Sequence, residues 1–166
     1  MADLSNNLIE FEEDTQSGRY LTFIIENESY GIEIKFVTEI INILPITTVP
    51  GLPVYIKGII NLRGKIIPVM DIRLRFNKNV LEYNDRTCII VALIDNMDIG
   101  FIVDSVAEVL TIPESDIVNP PEINKASNRF IKGIGKVGNG IKLLLDYQSL
   151  INCNDVEVIS DQIKNI

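Results

Sequence analysis

Short runs of isoleucine, valine, leucine and aromatic residues, separated by asparagine, aspartate, glycine and proline, make up most of the chain. Runs of this length and composition are typical of β-strands, and the residues between them are typical of tight turns. The pattern predicts four hairpins, which pair residues 20–26 with 30–34, 57–61 with 65–70, 88–94 with 97–103, and 130–137 with 141–145. The chain is therefore predicted to be an all-β protein.

A few stretches depart from this pattern. Residues 1–18 carry five acidic and no basic side chains, and we expect them to form a flexible tail. Asp71 is placed to cap a short helix over residues 72–76. Residues 35–43 fit either a short helix or a bent strand. An apolar stripe at near-helical spacing favours a C-terminal helix over residues 153–166, with a tail as the alternative.

The chain also repeats itself. The sequence Ile-Lys-Gly-Ile at residues 56–59 recurs at residues 131–134, and each copy is followed, thirteen residues after its glycine, by an aspartate that closes an apolar run. A second match, with its own constant offset, relates residues 25–40 to residues 94–109. Two matches with fixed offsets indicate an internal duplication.

The duplication leads to a prediction of the fold. Each half contains about five strands, which suggests two small closed barrels, and each half alone is near the size limit for a stable core. We therefore expect short helices and two barrels that share a buried interface. Residues 19–152 are predicted to form one domain of two intertwined β-barrel subdomains, between the tail and the C-terminal helix.

Composition excludes several classes of function. The chain has no histidine, and its two cysteines, Cys88 and Cys153, lie far apart, which argues against the usual zinc sites and against histidine-based catalysis. The net charge of −8 disfavours nonspecific binding to nucleic acid. The N-terminus does not resemble a signal peptide, and no apolar run approaches the ~20 residues that cross a bilayer. We expect a cytoplasmic protein with no metal, no cofactor and no membrane-inserted segment.

Two motifs leave other functions open. Residues 133–138 match the dinucleotide fingerprint G-x-G-x-x-G, but a strand-like run follows them where that motif needs a helix, which favours a glycine-bearing hairpin. A basic run could serve nucleic acid, an acidic protein partner or only a solvated face. It consists of Lys57, Arg63, Lys65, Arg73, Arg75 and Lys78. The alternative function is therefore a small nucleotide-binding or nucleic-acid-binding β-barrel.

Arg63 is the most specific feature of the basic run. The corresponding turn in the second half, residues 137–140, meets its geometry with glycine and asparagine, so the turn itself does not need an arginine. We expect Arg63 to project into solvent, where its planar guanidinium could bind a carboxylate or carbonyl of a partner. On this argument alone, an idle surface arginine is the competing interpretation.

The stretch IKGIINLRGKIIPVMDIRLRF, residues 56–76, resembles the signature of the chemotaxis coupling protein family, whose members contain CheW-like domains. Residues 33–40, 83–85 and 99–104 are also similar to that family. The resemblance implies two SH3-like five-stranded β-barrels, no enzymatic activity and no cofactor. It further implies an adaptor that couples the cytoplasmic tips of chemoreceptors, the methyl-accepting chemotaxis proteins, to the regulatory domain of the chemotaxis histidine kinase.

The resemblance also implies which residues meet these partners. Glu39 and Arg63 match positions that the family uses for partner contact. Their neighbours are expected to shape a receptor-facing groove between the barrels, namely Val37, Gly58, Asn61, Leu62 and Gly64. Kinase contact is expected mainly on the second barrel, through Met97, Gly100, Ile102, Val106 and Val109. We expect the protein to be monomeric when isolated and to be recruited from the cytoplasm to the receptor array.

Overall fold

The computed structural model describes residues 17–121 and 129–151. Only the last two residues of the predicted tail fall in these ranges, and the predicted C-terminal helix lies outside them. The strands are β1 (Arg19–Ile25), β2 (Glu28–Glu33), β3 (Val37–Asn42), β4 (Ile56–Leu62), β5 (Lys65–Asp71), β6 (Cys88–Ile94), β7 (Met97–Val103), β8 (Ser105–Thr111), β9 (Ile117–Val118), β10 (Ile131–Val137) and β11 (Gly140–Leu145). The helices are α1 (Ile72–Arg75) and α2 (Tyr147–Leu150), with 3-10 turns at Ile34–Phe36 and Glu114–Asp116.

The strands form two sheets. One has six strands in the order β8-β1-β2-β11-β10-β9, and the other has five in the order β3-β6-β7-β5-β4. The predicted mostly-β fold with two β-subdomains and short helices is confirmed. Two details differ from the prediction: β2 pairs with β11 and β5 pairs with β7 in parallel, and the two-residue strand β9 adds a sixth strand to one sheet. Both details depend on pairings between segments distant in sequence, which hairpin patterns do not reveal.

The internal repeat is visible in the topology. Strands β1 to β5 and helix α1 correspond in order to β6, β7, β8, β10, β11 and α2. Each half, however, contributes its first hairpin to the sheet that holds the other half's second hairpin. Hairpin β1–β2 therefore lies with β10–β11, and hairpin β6–β7 lies with β4–β5. The two halves interlock, so each sheet contains strands from both.

Period-two alternation along the strands divides the apolar side chains among three cores. In β1, Leu21 and Phe23 belong to the largest core, which contains residues of both sheets, whereas Tyr20 belongs to a smaller core of the six-stranded sheet. In β6, Ile90 faces the shared core and Ile89 faces a core of the five-stranded sheet. The shared core thus joins the two sheets, as the duplication argument expects.

Two repeat-related aspartates fix the ends of the second hairpins. Asp71 accepts a hydrogen bond from the backbone N–H of Arg73 at 2.9 Å, and Asp146 accepts one from the backbone N–H of Gln148 at 3.1 Å. Each aspartate therefore caps the short helix that follows it. The predicted cap at Asp71 is confirmed.

Candidate partner-binding site

Arg63 occupies a backbone conformation that arginine rarely adopts. It forms the two-residue turn between β4 and β5 with Gly64, and the two residues have φ values of 52° and 87°. The side-chain oxygen of Asn61 accepts the Gly64 N–H at 2.8 Å and holds the turn. A left-handed conformation costs a residue with a Cβ roughly 1 kcal/mol. At the corresponding position of the second half, Gly138 has a φ of 58° and avoids this cost.

The Arg63 guanidinium forms an ion pair with the carboxylate of Glu39. Glu39 lies in β3, an edge strand of the five-stranded sheet, where a register shift against β6 falls between Val37 and Glu39. The Arg63 side chain is 71% exposed and that of Glu39 is 31% exposed, so the pair is accessible to a partner. Arg63 therefore binds a carboxylate of the protein itself, and the expected contact with a partner stays a prediction.

An open groove of about 330 Å³ lies beside this ion pair. Its apolar part comes from Leu62, Ile67 and Val91, and a second ion pair joins Lys65 to Asp98. The complete lining is Thr38, Glu39, Leu62, Arg63, Lys65, Ile67, Val91 and Asp98. Ile67 and Val91 are buried in the core of the five-stranded sheet, so Leu62 and the two ion pairs form the accessible part of the groove. Such a surface suits a partner that carries complementary charges.

The structure brings together most of the residues predicted to contact the receptor. Glu39, Leu62 and Arg63 line the groove, and Asn61 and Gly64 hold its turn. All the residues that line this groove belong to strands or turns of the five-stranded sheet, and the expected receptor-facing groove between the barrels stays a prediction. Residues of β3, β4, β5, β6, β7 and the β4–β5 turn thus meet around one opening.

Two of the predicted residues lie apart from the groove. Val37 pairs with Ala92 and packs against the shared core. Gly58 has a φ of 150°, and a Cβ there would come within 2.1 Å of the Thr47 carbonyl oxygen. That close approach is required by two backbone hydrogen bonds of 2.9 Å between Thr47 and Ile59. Gly58 therefore has a packing role in the fold.

The residues predicted to contact the kinase are divided between the sheets. Met97, Gly100 and Ile102 lie in β7 of the five-stranded sheet, whereas Val106 and Val109 lie in β8 of the six-stranded sheet. The expectation that they share the second barrel is wrong, because the halves exchange their first hairpins. Gly100 and Ile102 are buried, Met97 and Val106 are half-buried, and Val109 is exposed.

The basic run is largely engaged within the protein. The Arg73 guanidinium donates two hydrogen bonds to the Asp104 carboxylate, at 2.7 and 2.6 Å. Lys78 binds Glu26 at 2.6 Å. Burial opposes ionisation of Asp104, but its hydrogen bonds to Arg73 and to the Glu26 backbone outweigh burial and lower its pKa. These side chains are occupied in joining parts of the fold, which argues against a basic surface for nucleic acid.

Arg75, in the same run, is held between two aromatic rings. Its guanidinium carbon lies 4.3 Å from the ring centre of Tyr55 and 4.7 Å from that of Phe130. Its Nε donates to the Leu150 carbonyl at 2.7 Å. Arg75 therefore connects α1 to the end of α2, which also removes it from any partner-binding patch.

The G-x-G-x-x-G match lies in the hairpin of β10 and β11, and a strand follows it. A Cβ at Gly133 would come within 2.8 Å of Ile117, and one at Gly135 within 3.0 Å of Ile112. Packing explains both glycines, so the dinucleotide-binding interpretation loses its main support. Among residues 17–121 and 129–151 no group of three or more metal-ligand side chains occurs. No helix in the same ranges is long and apolar enough to span a membrane.

Sequence patterns missed four residues of the groove: Thr38, Ile67, Val91 and Asp98. Asp98 is brought to Lys65 by the parallel pairing of β5 with β7, and Val91 is brought there by the pairing of β6 with β3 and β7. Neither pairing leaves a local signal. The alternation of Asp98 with apolar residues in β7 was visible, but it does not reveal the partner of its carboxylate.

Three comparisons place these features among known proteins. The family model of the CheW-like domain matches residues 19–154. The chemotaxis protein CheW of Klebsiella aerogenes is 30% identical over 153 residues, which cover 92% of each chain. The CheW of Bacillus subtilis is 33% identical over 135 residues, which cover 81% of this chain and 86% of the relative. The crystal structure of the scaffolding protein TtCheW from Thermoanaerobacter tengcongensis aligns with a TM-score of 0.76 and 35% identity, and covers 83% of this chain and 94% of that one.

Proposed function

The chain belongs to the CheW-like domain family of chemotaxis scaffold proteins, and from this premise we propose that it is a non-catalytic adaptor that couples chemoreceptors to the chemotaxis histidine kinase. In this role it acts in the cytoplasm, at the membrane-associated receptor array. Its partners are the cytoplasmic tips of the receptors and the regulatory domain of the kinase.

The observation that carries the proposal is the conformation of Arg63. The chain retains an arginine where the turn favours glycine, and Gly138 occupies the corresponding position in the second half. A residue kept against the preference of its backbone indicates a role for its side chain. That side chain lies at the groove and pairs with Glu39.

The groove suits one side of a helical hairpin. An apolar side chain of the partner helix would contact Leu62, the partly exposed apolar residue of the groove, as apolar anchors do when amphipathic helices dock in grooves. Charged residues of the partner would compete for Arg63 or Glu39. We assign kinase contact to the accessible members of the predicted set, Met97, Val106 and Val109. A single contact through so small a groove is weak. An array strengthens the binding because many such contacts act together.

The first experiment tests coupling directly. Receptor fragments and the kinase are mixed with and without this protein, and kinase autophosphorylation by ATP is measured. We expect receptor control of autophosphorylation only when the protein is present. Equal control of the kinase in its absence would remove the coupling assignment.

The second experiment tests the site through Arg63→Gly. Glycine relieves the left-handed strain and removes the side chain, so we expect a free energy of unfolding within about 1 kcal/mol of the parent. Receptor-dependent control of the kinase should fall strongly in the same variant. Lys136→Ala, at an exposed position beside the corresponding hairpin turn, is the matched control and should retain coupling. Full coupling by Arg63→Gly would show that Arg63 has no part in it.

A further inference from the structure

A group of charged residues joins the two sheets where the chain crosses from one to the other. Asp104 lies between β7 of the five-stranded sheet and β8 of the six-stranded sheet. Arg73, in α1 after β5, and Lys78 approach it from the side of the five-stranded sheet. Glu26, in the turn between β1 and β2, belongs to the six-stranded sheet. We call Glu26, Arg73, Lys78 and Asp104 the crossover cluster.

The contacts of the crossover cluster are directional and run between the sheets. Besides the two bonds from Arg73, the Asp104 carboxylate accepts the Glu26 N–H at 2.9 Å. The Asp104 N–H donates to the carbonyl of Ile24 in β1 at 3.2 Å. Lys78 then holds the Glu26 carboxylate at 2.6 Å. One carboxylate thus ties α1 to the β1–β2 hairpin.

The repeat offers an internal comparison. Lys35 and Gln148 occupy the positions that correspond to Asp104 and Arg73, so the same ion pair cannot form on the other side of the molecule. There Lys35 pairs with Glu33, and the rings of Phe36 and Tyr147 pack with their centres 4.0 Å apart. At these corresponding positions, an ion pair between Arg73 and Asp104 stands on one side and the packing of Phe36 against Tyr147 on the other, and Arg75 additionally joins α1 to α2.

The side chains of the central pair are only 12% exposed for Arg73 and 21% exposed for Asp104. Removing a pair of charges from water is costly, and such pairs often add little net stability compared with apolar residues of similar size. Their geometry, in contrast, is strict, because a two-pronged arginine–carboxylate contact tolerates few orientations. The shared apolar core is non-directional and sets the orientation of the sheets less strictly.

From these contacts we propose that the crossover cluster is a conformational latch that sets the orientation of the two sheets relative to each other, rather than a source of net stability. When the Arg73–Asp104 pair separates, the sheets remain packed through the shared core, but they move relative to each other about the apolar side at Phe36 and Tyr147. The proposal concerns the molecule itself and does not depend on the identity of its partners.

The test replaces the pair by apolar residues of similar size, Arg73→Met with Asp104→Leu. The matched control is Lys65→Met with Asp98→Leu, which removes an ion pair within the five-stranded sheet. Cys88→Ser and Cys153→Ser provide the background. Spin labels at Lys136→Cys and Ile66→Cys report the distance between the sheets, and labels at Leu93→Cys and Ile66→Cys report a distance within one sheet. Pulsed electron paramagnetic resonance gives the distance distributions, and urea unfolding gives the midpoint.

We expect the double variant at the crossover to unfold at or above the parent's urea midpoint and to show a broader or shifted distance distribution between the sheets. The distribution within one sheet should not change, and the control variant should change neither distance. An unchanged distance between the sheets would overturn the proposal, because the apolar core alone would then fix the orientation. A large fall in the urea unfolding midpoint, or a failure to fold, would also overturn it, since the cluster would then be an ordinary stabilising contact.

Arg73→Lys provides a graded test with the charge retained. Lysine cannot form the two-pronged contact with Asp104, so the distance distribution between the sheets should broaden less than in the double variant. A distribution as narrow as that of the parent would contradict the proposed role of the two-pronged geometry.

Discussion

Single residues of this chain are constrained chiefly by close contacts between neighbouring strands. Gly31 and Gly100 occupy corresponding positions in the two halves, and each faces a parallel neighbour. A Cβ at Gly31 would lie 3.0 Å from Leu144, and one at Gly100 would lie 2.9 Å from Val69. Those neighbours also correspond to each other in the repeat. The recurrence of glycine is therefore explained by strand packing, whereas Arg63 departs from the repeat and has no such explanation.

This distinction gives a prediction for Gly100→Ala. The added Cβ would lie 2.7 Å from Ile89 as well as against Val69, and both neighbours are buried. We expect a loss of about 1–3 kcal/mol in the free energy of unfolding, the usual cost of overpacking a core. Gly140→Ala is the control, because its nearest neighbour would be 3.7 Å away. Urea denaturation measures the free energy of unfolding of both variants. Equal midpoints for Gly100→Ala and Gly140→Ala would show that the strands move apart without cost.

Secondary-structure elements differ in how far the sequence alone specifies them. All four hairpins were predicted within a few residues of their observed bounds, because strand periodicity and turn residues are local signals. Residues 34–42, where the pattern was ambiguous, form a 3-10 turn followed by β3. The groove was harder to predict. Its charged residues come from β3, β5, β7 and the β4–β5 turn. The parallel pairing of β5 with β7 brings together residues far apart in sequence, such as Val69 and Gly100.

The basic residues after Asp71 also make contacts that local sequence patterns do not reveal. The basic run could serve a binding surface as far as the sequence shows, because the sequence does not reveal that Arg73 meets Asp104 or that Lys78 meets Glu26. These contacts cross between elements that are distant in sequence. A difference between the two halves can therefore mark either a functional residue, as proposed for Arg63, or a contact that holds the halves together.

The crossover between β7 and β8 should be sensitive to acid. The pKa of Asp104 is lowered from its ordinary value of 3.8, so the carboxylate stabilises the fold at higher pH, and this contribution is lost as pH falls through the lowered folded pKa. Asp104→Asn leaves the half-buried Arg73 without its carboxylate, whereas the double apolar replacement removes both charges. The free energy of unfolding of the parent should therefore exceed that of Asp104→Asn at neutral pH. The difference should shrink below roughly pH 4, where the unfolded state takes up its proton.

Denaturant unfolding of both proteins over a series of pH values measures this difference. Glu26 and other acidic groups titrate in both proteins, so their effects largely cancel in the difference between the two free energies of unfolding. The free energy of unfolding of Arg73→Gln should converge on that of the parent over the same pH interval, since Arg73 and Asp104 form one pair. A difference between parent and Asp104→Asn that stays constant into strong acid would contradict the assigned ion pair.

At the scale of the whole molecule, the exchange of hairpins makes the two halves mutually dependent. Hairpin β1–β2 pairs with β8 and β11, and β6 and β7 pair with β3 and β5. A half by itself would leave its hairpins without the strands that the other half supplies and would expose the residues of the shared core. The duplication therefore does not produce two independent domains, and the intact chain should unfold in one cooperative transition.

Cutting the chain in its exposed linker tests this dependence. Fragments 1–80 and 81–166 separate the halves between two exposed residues, Val80 and Leu81. Each fragment alone should lack cooperative unfolding and dispersed amide resonances, because each sheet needs strands from both. Mixed together, they should form a one-to-one complex that unfolds cooperatively, at a midpoint that rises with concentration since association is part of folding. Cooperative unfolding of either fragment alone would show that its hairpins need no partner, and the interlocked sheets would then not be the unit of stability.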